Sequence, residues 1–274
     1  MIELWQAAVM GIVQGLTEFL PVSSSGHLIL VPALFGWTGP VTGLEFSVAL
    51  HIGTLVALLA VFWRDWLVLI GACLRSIAQR SLAERDARLG WLLVLGTIPG
   101  VVAGLLLEKP IEAALRSPVT VGILMVLVAL VLAAADRLSA KVRDEYSLSR
   151  LDGFLIGCAQ ALALAPGVSR SGITMSAGLG LGLTRTAAAR FSFLLSAPII
   201  AGAAAKEGLS ILKSGAIGSD GAAWAVGILT AGISGYIAIR WLLAYLGRNS
   251  LMPFVIYRIV VGLAVIALSL TGRL

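Results

Sequence analysis

The chain has 274 residues, of which 59% are hydrophobic and 12% charged, with a formal net charge of +6 and a mean hydropathy of +0.99. This composition excludes a soluble globular domain and points to an integral membrane protein. The basic excess, 20 residues against 14 acidic ones, would suggest nucleic acid in a soluble protein, but charge in membrane loops accounts for it and no nucleic-acid partner is expected.

In chain order, the first segment, Ile2 to Leu34, is apolar but broken in the middle by Pro, Gly and Ser. Acidic Glu3, the missing basic n-region and the polar interruption set it apart from a signal peptide, so it is expected in the mature protein. Apolar runs long enough to cross a hydrocarbon core of about 30 Å follow at Phe46 to Trp63, Leu89 to Leu107 and Val119 to Ala135. A second broken segment, Asp152 to Leu183, precedes runs at Ala188 to Ala205, Ala222 to Ile239 and Pro253 to Leu270. Non-helical backbone survives at membrane depth only where protein buries it or a wet cavity solvates it. Each broken segment is therefore predicted to be a re-entrant helical pair lining a pocket.

Six crossings place thirteen basic residues on one side: Arg64, Arg75, Arg80, Arg85, Arg88, Arg137, Lys141, Arg143, Arg150, Arg185, Arg190, Arg240 and Arg248. The other side receives five, Lys109, Arg116, Lys206, Lys213 and Arg273, while Arg170 and Arg258 stay within the membrane. The positive-inside bias then puts both termini outside the cytoplasm. Arg64 to Arg88 and Arg137 to Arg150 read as loops. Trp63, Trp66, Trp91, Trp224 and Trp241 fit an interfacial belt. No disulfide is expected between Cys73 and Cys158.

The two broken segments share a skeleton. Gly11, Gln14, Ser23, Ser25 and Gly26 recur as Gly157, Gln160, Ser169, Ser171 and Gly172, with fainter echoes of Gly96 and Gly104 in Gly227 and Gly235. Three crossings after each broken segment force the second half to insert upside down. The expectation is an all-α polytopic membrane protein forming a single domain of two inverted-topology repeats, about 1–140 and about 150–274. Each repeat is a re-entrant helical hairpin plus three transmembrane helices, with the two hairpin tips meeting near the midplane.

A charge at the bilayer centre costs about 2.5–3.5 kcal/mol, so Glu18 from one tip and Arg170 from the other are expected to be partners or to face water. A structural ion pair would not need the surrounding hydroxyls of Ser23, Ser24, Ser25, Ser169, Ser171 and Thr174. Hydroxyls, freed N–H groups at a helix start and a guanidinium suit phosphate oxygens. Gln14 and Glu18, four apart on a helix ended by Pro21, should share one face. His27 is placed to act as base to a serine, as nucleophile or as acid to a leaving oxygen. His51 reads as a hydrogen-bonded helix contact, Glu45 either as an interfacial charge or as a second carboxylate near the pocket, and Arg258 as a partner of a carbonyl, of Glu45 or of headgroups.

The stretches Gln14-Gly-Leu-Thr-Glu18-Phe-Leu-Pro21-Val-Ser23-Ser24-Ser25-Gly26-His27 and Pro166-Gly-Val-Ser169-Arg170-Ser171-Gly-Ile-Thr174 resemble the two signature regions of the undecaprenyl-diphosphate phosphatase family, the bacitracin-resistance type. Phe191-Ser-Phe-Leu-Leu, Ala197-Pro198 and Pro253-Phe-Val-Ile-Tyr-Arg258 extend the likeness. The resemblance implies hydrolysis of the terminal phosphate of a polyprenyl diphosphate in the bacterial inner (plasma) membrane, at a pocket open to the outer side. It also implies a divalent cation, Mg2+ or Ca2+. In that frame Arg170 grips the phosphates with Ser169, Ser171 and Thr174. Glu18 orients the metal or the attacking group, Ser24 or His27 attacks or assists, and Gln14, Ser23 and Ser25 complete the substrate contacts. Gln14 and Ser47 stand where relatives often carry acids, which weakens the case for the metal. The main rival is a polyprenyl-phosphate flippase or transporter using the same midplane site. A third, a structural scaffold, has no use for so many buried polar groups. Membrane lipids and the lipid substrate are the expected partners, and a homodimer is compatible with the sequence.

Overall fold

The computed structural model describes residues 2–115, 117–214 and 220–271. The assignments of Arg116 and Arg273 to one side of the membrane lie outside the described residues, as do the side chains of Lys109 and Lys213. The described chain is helical: α1 Leu4–Phe19, α2 Ser24–Phe35, α3 Leu44–Val61, α4 Trp63–Gln79, α5 Arg85–Leu115, α6 Pro118–Leu138, α7 Arg150–Ala161, α8 Arg170–Gly180, α9 Arg185–Ser214, α10 Gly221–Leu246 and α11 Met252–Leu270. No β-strand occurs among the described residues. Six helices, α3, α5, α6, α9, α10 and α11, carry windows long and apolar enough to cross a membrane, so the protein is an all-α, multi-pass membrane protein.

Each expected crossing falls on one of these helices. The stretch Arg64 to Arg88, read as a loop, instead contains α4, which is a correction. Its arginines obscured an amphipathic pattern: Leu69, Ala72 and Ser76 are buried against α5, while Leu67, Ile70, Leu74 and Ile77 form an exposed row at helical spacing. Trp224 also leaves the expected belt, being buried edge-on against Phe46.

The broken segments form two short helix pairs, α1/α2 and α7/α8, each bent at a Pro-containing elbow. Each pair packs against a long helix of the opposite half, α1 against α10 and α7 against α5. Glycine makes the approach close enough. A Cβ on Gly11 would collide with the Gly227 carbonyl oxygen, and one on Gly157 with the Gly96 carbonyl oxygen. Packing, rather than hydrophobic exclusion, holds helices together in lipid, so small residues at these crossings are what permit the contact.

At one end, ion pairs tie the helix connections together. Arg190 bonds both Asp65, at 2.7 Å, and Glu145, at 2.9 Å; Arg185 bonds Asp136 at 2.5 Å; and Arg143 bonds Asp152 at 2.8 Å. Asp152 also closes a capping box with Ser149 at the start of α7. Burial raises the Asp152 pKa, but the bonds from Ser149 and Arg143 outweigh it and hold the carboxyl below its ordinary range.

Candidate active site

The site is built where the two elbows meet. On the buried face of α1, Gln14 Nε2 donates to Glu18 Oε2 at 3.1 Å, the one-turn pairing that the four-residue spacing predicts. Helix α1 stops at Phe19 because Leu20, the residue before Pro21, is held extended, and the chain then turns. Ser23 then adopts a positive φ of 79°, and its Oγ accepts from the Gly26 N–H at 3.3 Å, capping α2. That conformation costs on the order of 1–3 kcal/mol for a non-glycine residue. It turns the chain so that Ser24, the first residue of α2, reaches back to donate to Glu18 Oε2 at 2.6 Å.

The second elbow repeats the device. Ser169 has a φ of 72°, accepts from the Gly172 N–H at 3.1 Å, and delivers Arg170 as the first residue of α8. The Arg170 guanidinium pairs with Glu18 Oε1, joining the two halves as expected, and also donates to the Ser196 carbonyl at 3.4 Å. Glu18 thus takes bonds from Gln14, Ser24 and Arg170 together.

Arg258 fixes the elbows to each other. It is fully buried and donates to the carbonyls of Pro21 (3.2 Å), Gly167 (2.8 Å), Val168 (3.0 Å) and Met125 (3.1 Å). Of the three roles open to it in the sequence, carbonyl partner is the one observed. Glu45, in the first turn of α3, is exposed.

Two adjoining cavities meet at this point. The inner one, about 200 Å³, is lined by Glu18, Ser24, Ser25, His51, Gln160, Ser169 and Arg170 together with apolar residues of α5 and α9. The outer one, about 810 Å³, is largely apolar, walled by residues such as Leu28, Ile29, Pro32, Trp37, Leu44 and Val48, and shares Ser25, His51, Ala163 and Leu164 with the inner cavity.

Of the residues singled out in the sequence, Glu18, Ser24, Ser25, Ser169 and Arg170 line the inner cavity. The others support it from behind. Ser23 is the cap just described. Ser171 Oγ donates to the Leu20 carbonyl at 3.1 Å, and Thr174 Oγ1 donates to the Arg170 carbonyl at 2.7 Å and lies 2.6 Å from Ser192 Oγ. Gln14 is fully buried behind Glu18.

The two histidines exchange the places expected of them. His27 Nδ1 lies 2.7 Å from the Ser23 carbonyl and Nε2 lies 2.6 Å from the Tyr257 hydroxyl, on which the imidazole stacks. Its partners assign Nδ1 as donor and Nε2 as acceptor, and it does not reach Ser24 or Glu18. His51, read from sequence as a helix contact, donates from Nδ1 to the Ser47 carbonyl at 2.8 Å and brings Nε2 to 3.5 Å from Glu18 Oε2. Gln160, the counterpart of Gln14 in the repeated skeleton, also lies on this wall.

Among the described residues Glu18 is the one carboxylate on the inner wall. Among the described residues no group of three or more His, Cys, Asp or Glu is assembled to hold a metal ion. A hard cation here would have Glu18 as its protein anchor and would need oxygens from a bound phosphate to complete its shell, a common arrangement for Mg2+.

Residues 7–264 match the family described as Bacitracin resistance protein BacA. An undecaprenyl-diphosphatase of Pelotomaculum thermopropionicum is 49% identical over 266 residues, covering 97% of each chain. That of Desulforudis audaxviator is 49% identical over 266 residues, covering 97% of this chain and 98% of its own. That of Trichlorobacter lovleyi is 46% identical over 273 residues, covering 99% of both. With a match that takes in both elbows and all six apolar helices, the chain belongs to the bacitracin resistance protein BacA family.

Proposed function

We propose that this protein is an undecaprenyl-diphosphate phosphatase, cleaving the phosphoric anhydride of the lipid to release inorganic phosphate and leave the polyprenyl monophosphate. The observation that carries this is the chain of bonds from Ser24 through Glu18 to Arg170 on the wall of a small cavity that adjoins a larger, mostly apolar one. The relatives named above bear the same activity in their names. Nothing in the site favours transport without cleavage, since a carrier has no need of a hydroxyl bonded to a carboxylate beside a guanidinium.

Phosphoryl transfer is mainly positioning and charge stabilisation. Ser24 Oγ attacks the terminal phosphorus as Glu18 takes its proton; the anhydride P–O bond breaks, and the lipid monophosphate leaves with the bridging oxygen. A water then attacks the phosphoserine, and the departing serine oxygen recovers its proton from Glu18. Arg170 holds the equatorial oxygens, aided by the N–H groups at the starts of α2 and α8. His51, its Nδ1–H given to Ser47, presents Nε2 as an acceptor that steadies Glu18 once the carboxyl has taken the serine proton. The geometry favours Ser24 over His27 as nucleophile, because both His27 nitrogens are already engaged. A bound Mg2+ or Ca2+ would be held by Glu18 and the diphosphate, and would supply further charge neutralisation.

The outer cavity suits the first isoprene units of the lipid. It is walled by the α2–α3 connection at the start of α3, whereas the end of α3 adjoins the Arg190–Asp65 cluster. These ends are about 27 Å apart for an 18-residue helix. With the basic end cytoplasmic, the site faces the outer side of the inner membrane. The exchanged packing of α1 and α7 supports one domain of two inverted repeats, about 1–140 and about 150–274. A homodimer has no specific support here.

Purified protein in detergent with Mg2+ is expected to release phosphate from a polyprenyl diphosphate, which a transporter would not do. Mass spectrometry after an acid quench should find phosphate on Ser24; phosphate on His27 instead would overturn the assignment of the nucleophile.

A further inference from the structure

Gln160, one residue from the end of α7, lies on the inner cavity wall with Glu18, Ser24 and Arg170. Only 3% of it is exposed, and neither its Nε2 nor its Oε1 has a hydrogen-bond partner in the protein. A buried polar group left unsatisfied is costly, so such groups are retained where something outside the chain satisfies them. The surrounding wall of Gly100, Ile199, Ile200 and Ala203 offers no side-chain donor or acceptor.

Comparison with Gln14 shows why this amide is free. Gln14 donates to Glu18 one turn later, but the residue one turn after Gln160 is Leu164. The second elbow has therefore kept the amide and lost the carboxylate that would occupy it.

Position within the cavity decides what the amide meets. The residues shared by the two cavities are Ser25, His51, Ala163 and Leu164, whereas Gln160 borders only the inner one. A diphosphate whose tail lies in the apolar cavity places its lipid-linked phosphate at that shared neck and its terminal phosphate deeper. We infer that Gln160 binds the terminal phosphate, its Nε2–H donating to a non-bridging oxygen, and so selects the diphosphate substrate over the monophosphate product. This rests on the diphosphatase reading above.

The test compares wild type, Gln160→Leu and Gln160→Glu in detergent with Mg2+, using a short polyprenyl diphosphate as substrate and the matching monophosphate as competitive inhibitor. Losing a hydrogen bond to a charged group should raise the KM of Gln160→Leu about ten- to a hundredfold. The inhibition constant of the monophosphate should stay within about twofold, and the unliganded melting temperature should be equal or higher because an unpaired buried amide is gone. Gln160→Glu should lose at least as much, since its carboxylate would repel the phosphate.

A KM for Gln160→Leu within about twofold of wild type would overturn the inference and leave water as the amide's partner. A parallel rise in the monophosphate constant would place the amide elsewhere on the lipid headgroup, and a lower unliganded melting temperature would make it structural; either result also overturns it. If wild type itself releases no phosphate, the diphosphatase reading fails. The melting shift induced by inorganic pyrophosphate, present in wild type and lost in Gln160→Leu, then still decides whether the amide holds a phosphate.

Discussion

The two elbows share a backbone and differ in what they present. In both, a serine at positive φ caps the next helix through an N–H three residues on. The residue after that serine is Ser24 in one and Arg170 in the other; one turn beyond the shared glutamine stand Glu18 and Leu164; and His27 corresponds to Ile173. The common part is a strained scaffold that aims two helix starts into one cavity. The divergent part is the chemistry, with the hydroxyl and carboxylate on one elbow and the guanidinium on the other. Neither elbow alone can hold a phosphate against an activated nucleophile, which is why their contact through Glu18 and Arg170 matters more than either motif by itself.

The largest effects should come from breaking that contact. Arg170→Ala and Ser24→Ala are each expected to lower phosphate release about a thousandfold or more, the scale of losing a principal charge stabiliser or the nucleophile. Glu18→Ala should match them. Near-normal turnover in Arg170→Ala, with a normal melting curve, would show that the elbows act separately.

Next comes the clamp that joins them. Arg258→Met strands the Pro21, Gly167 and Val168 carbonyls, while the Met125 carbonyl keeps its partner within α6. At about 1–3 kcal/mol for each buried group left unpaired, the loss should be at least about 3 kcal/mol, seen as a lower melting temperature in detergent with activity falling in step. A variant that melts normally would mean the elbows hold their relation without the clamp.

The histidines sharpen the asymmetry further. His51→Leu should cut turnover about ten- to a hundredfold while leaving the melting temperature nearly unchanged, as befits a group that steadies a catalytic carboxylate. His27→Gln should lose activity and thermal stability together, because the imidazole braces the Ser23 turn against Tyr257. Full stability with no turnover would return His27 to the chemistry. The smallest effect belongs to Thr174→Val, which removes the bond to Ser192 and should cost about 1 kcal/mol with an unchanged KM.

Much of the fold could be read directly. Uninterrupted apolar runs marked all six long helices, and Pro, Gly and Ser in the middle of two others marked the elbows. The Gln14–Glu18 pair followed from helical spacing, and the Glu18–Arg170 pair from the cost of isolated charge in lipid. Helix α4 was hidden because its arginines read as loop charge although its apolar residues keep a helical period. His51 was hidden for a different reason: nothing in an apolar helix says which way it is rotated against a neighbour 33 positions away in sequence. Ser171 and Thr174 belong to a hydroxyl-rich motif, yet their side chains turn back into the protein.

By itself, then, the sequence determined the solvent the protein lives in, where its helices break and which opposite charges must find each other. Those are consequences of hydrophobicity, local backbone preference and the cost of bare charge, all of which act on residue type and spacing. Tertiary structure alone decided that His51 rather than His27 stands beside Glu18, that Arg258 ties both elbows through carbonyls, and that Gln160 lies at the cavity wall with its amide unpaired. Each depends on how helices are rotated and docked, and that is set by the summed packing of the whole bundle rather than by any one stretch of chain.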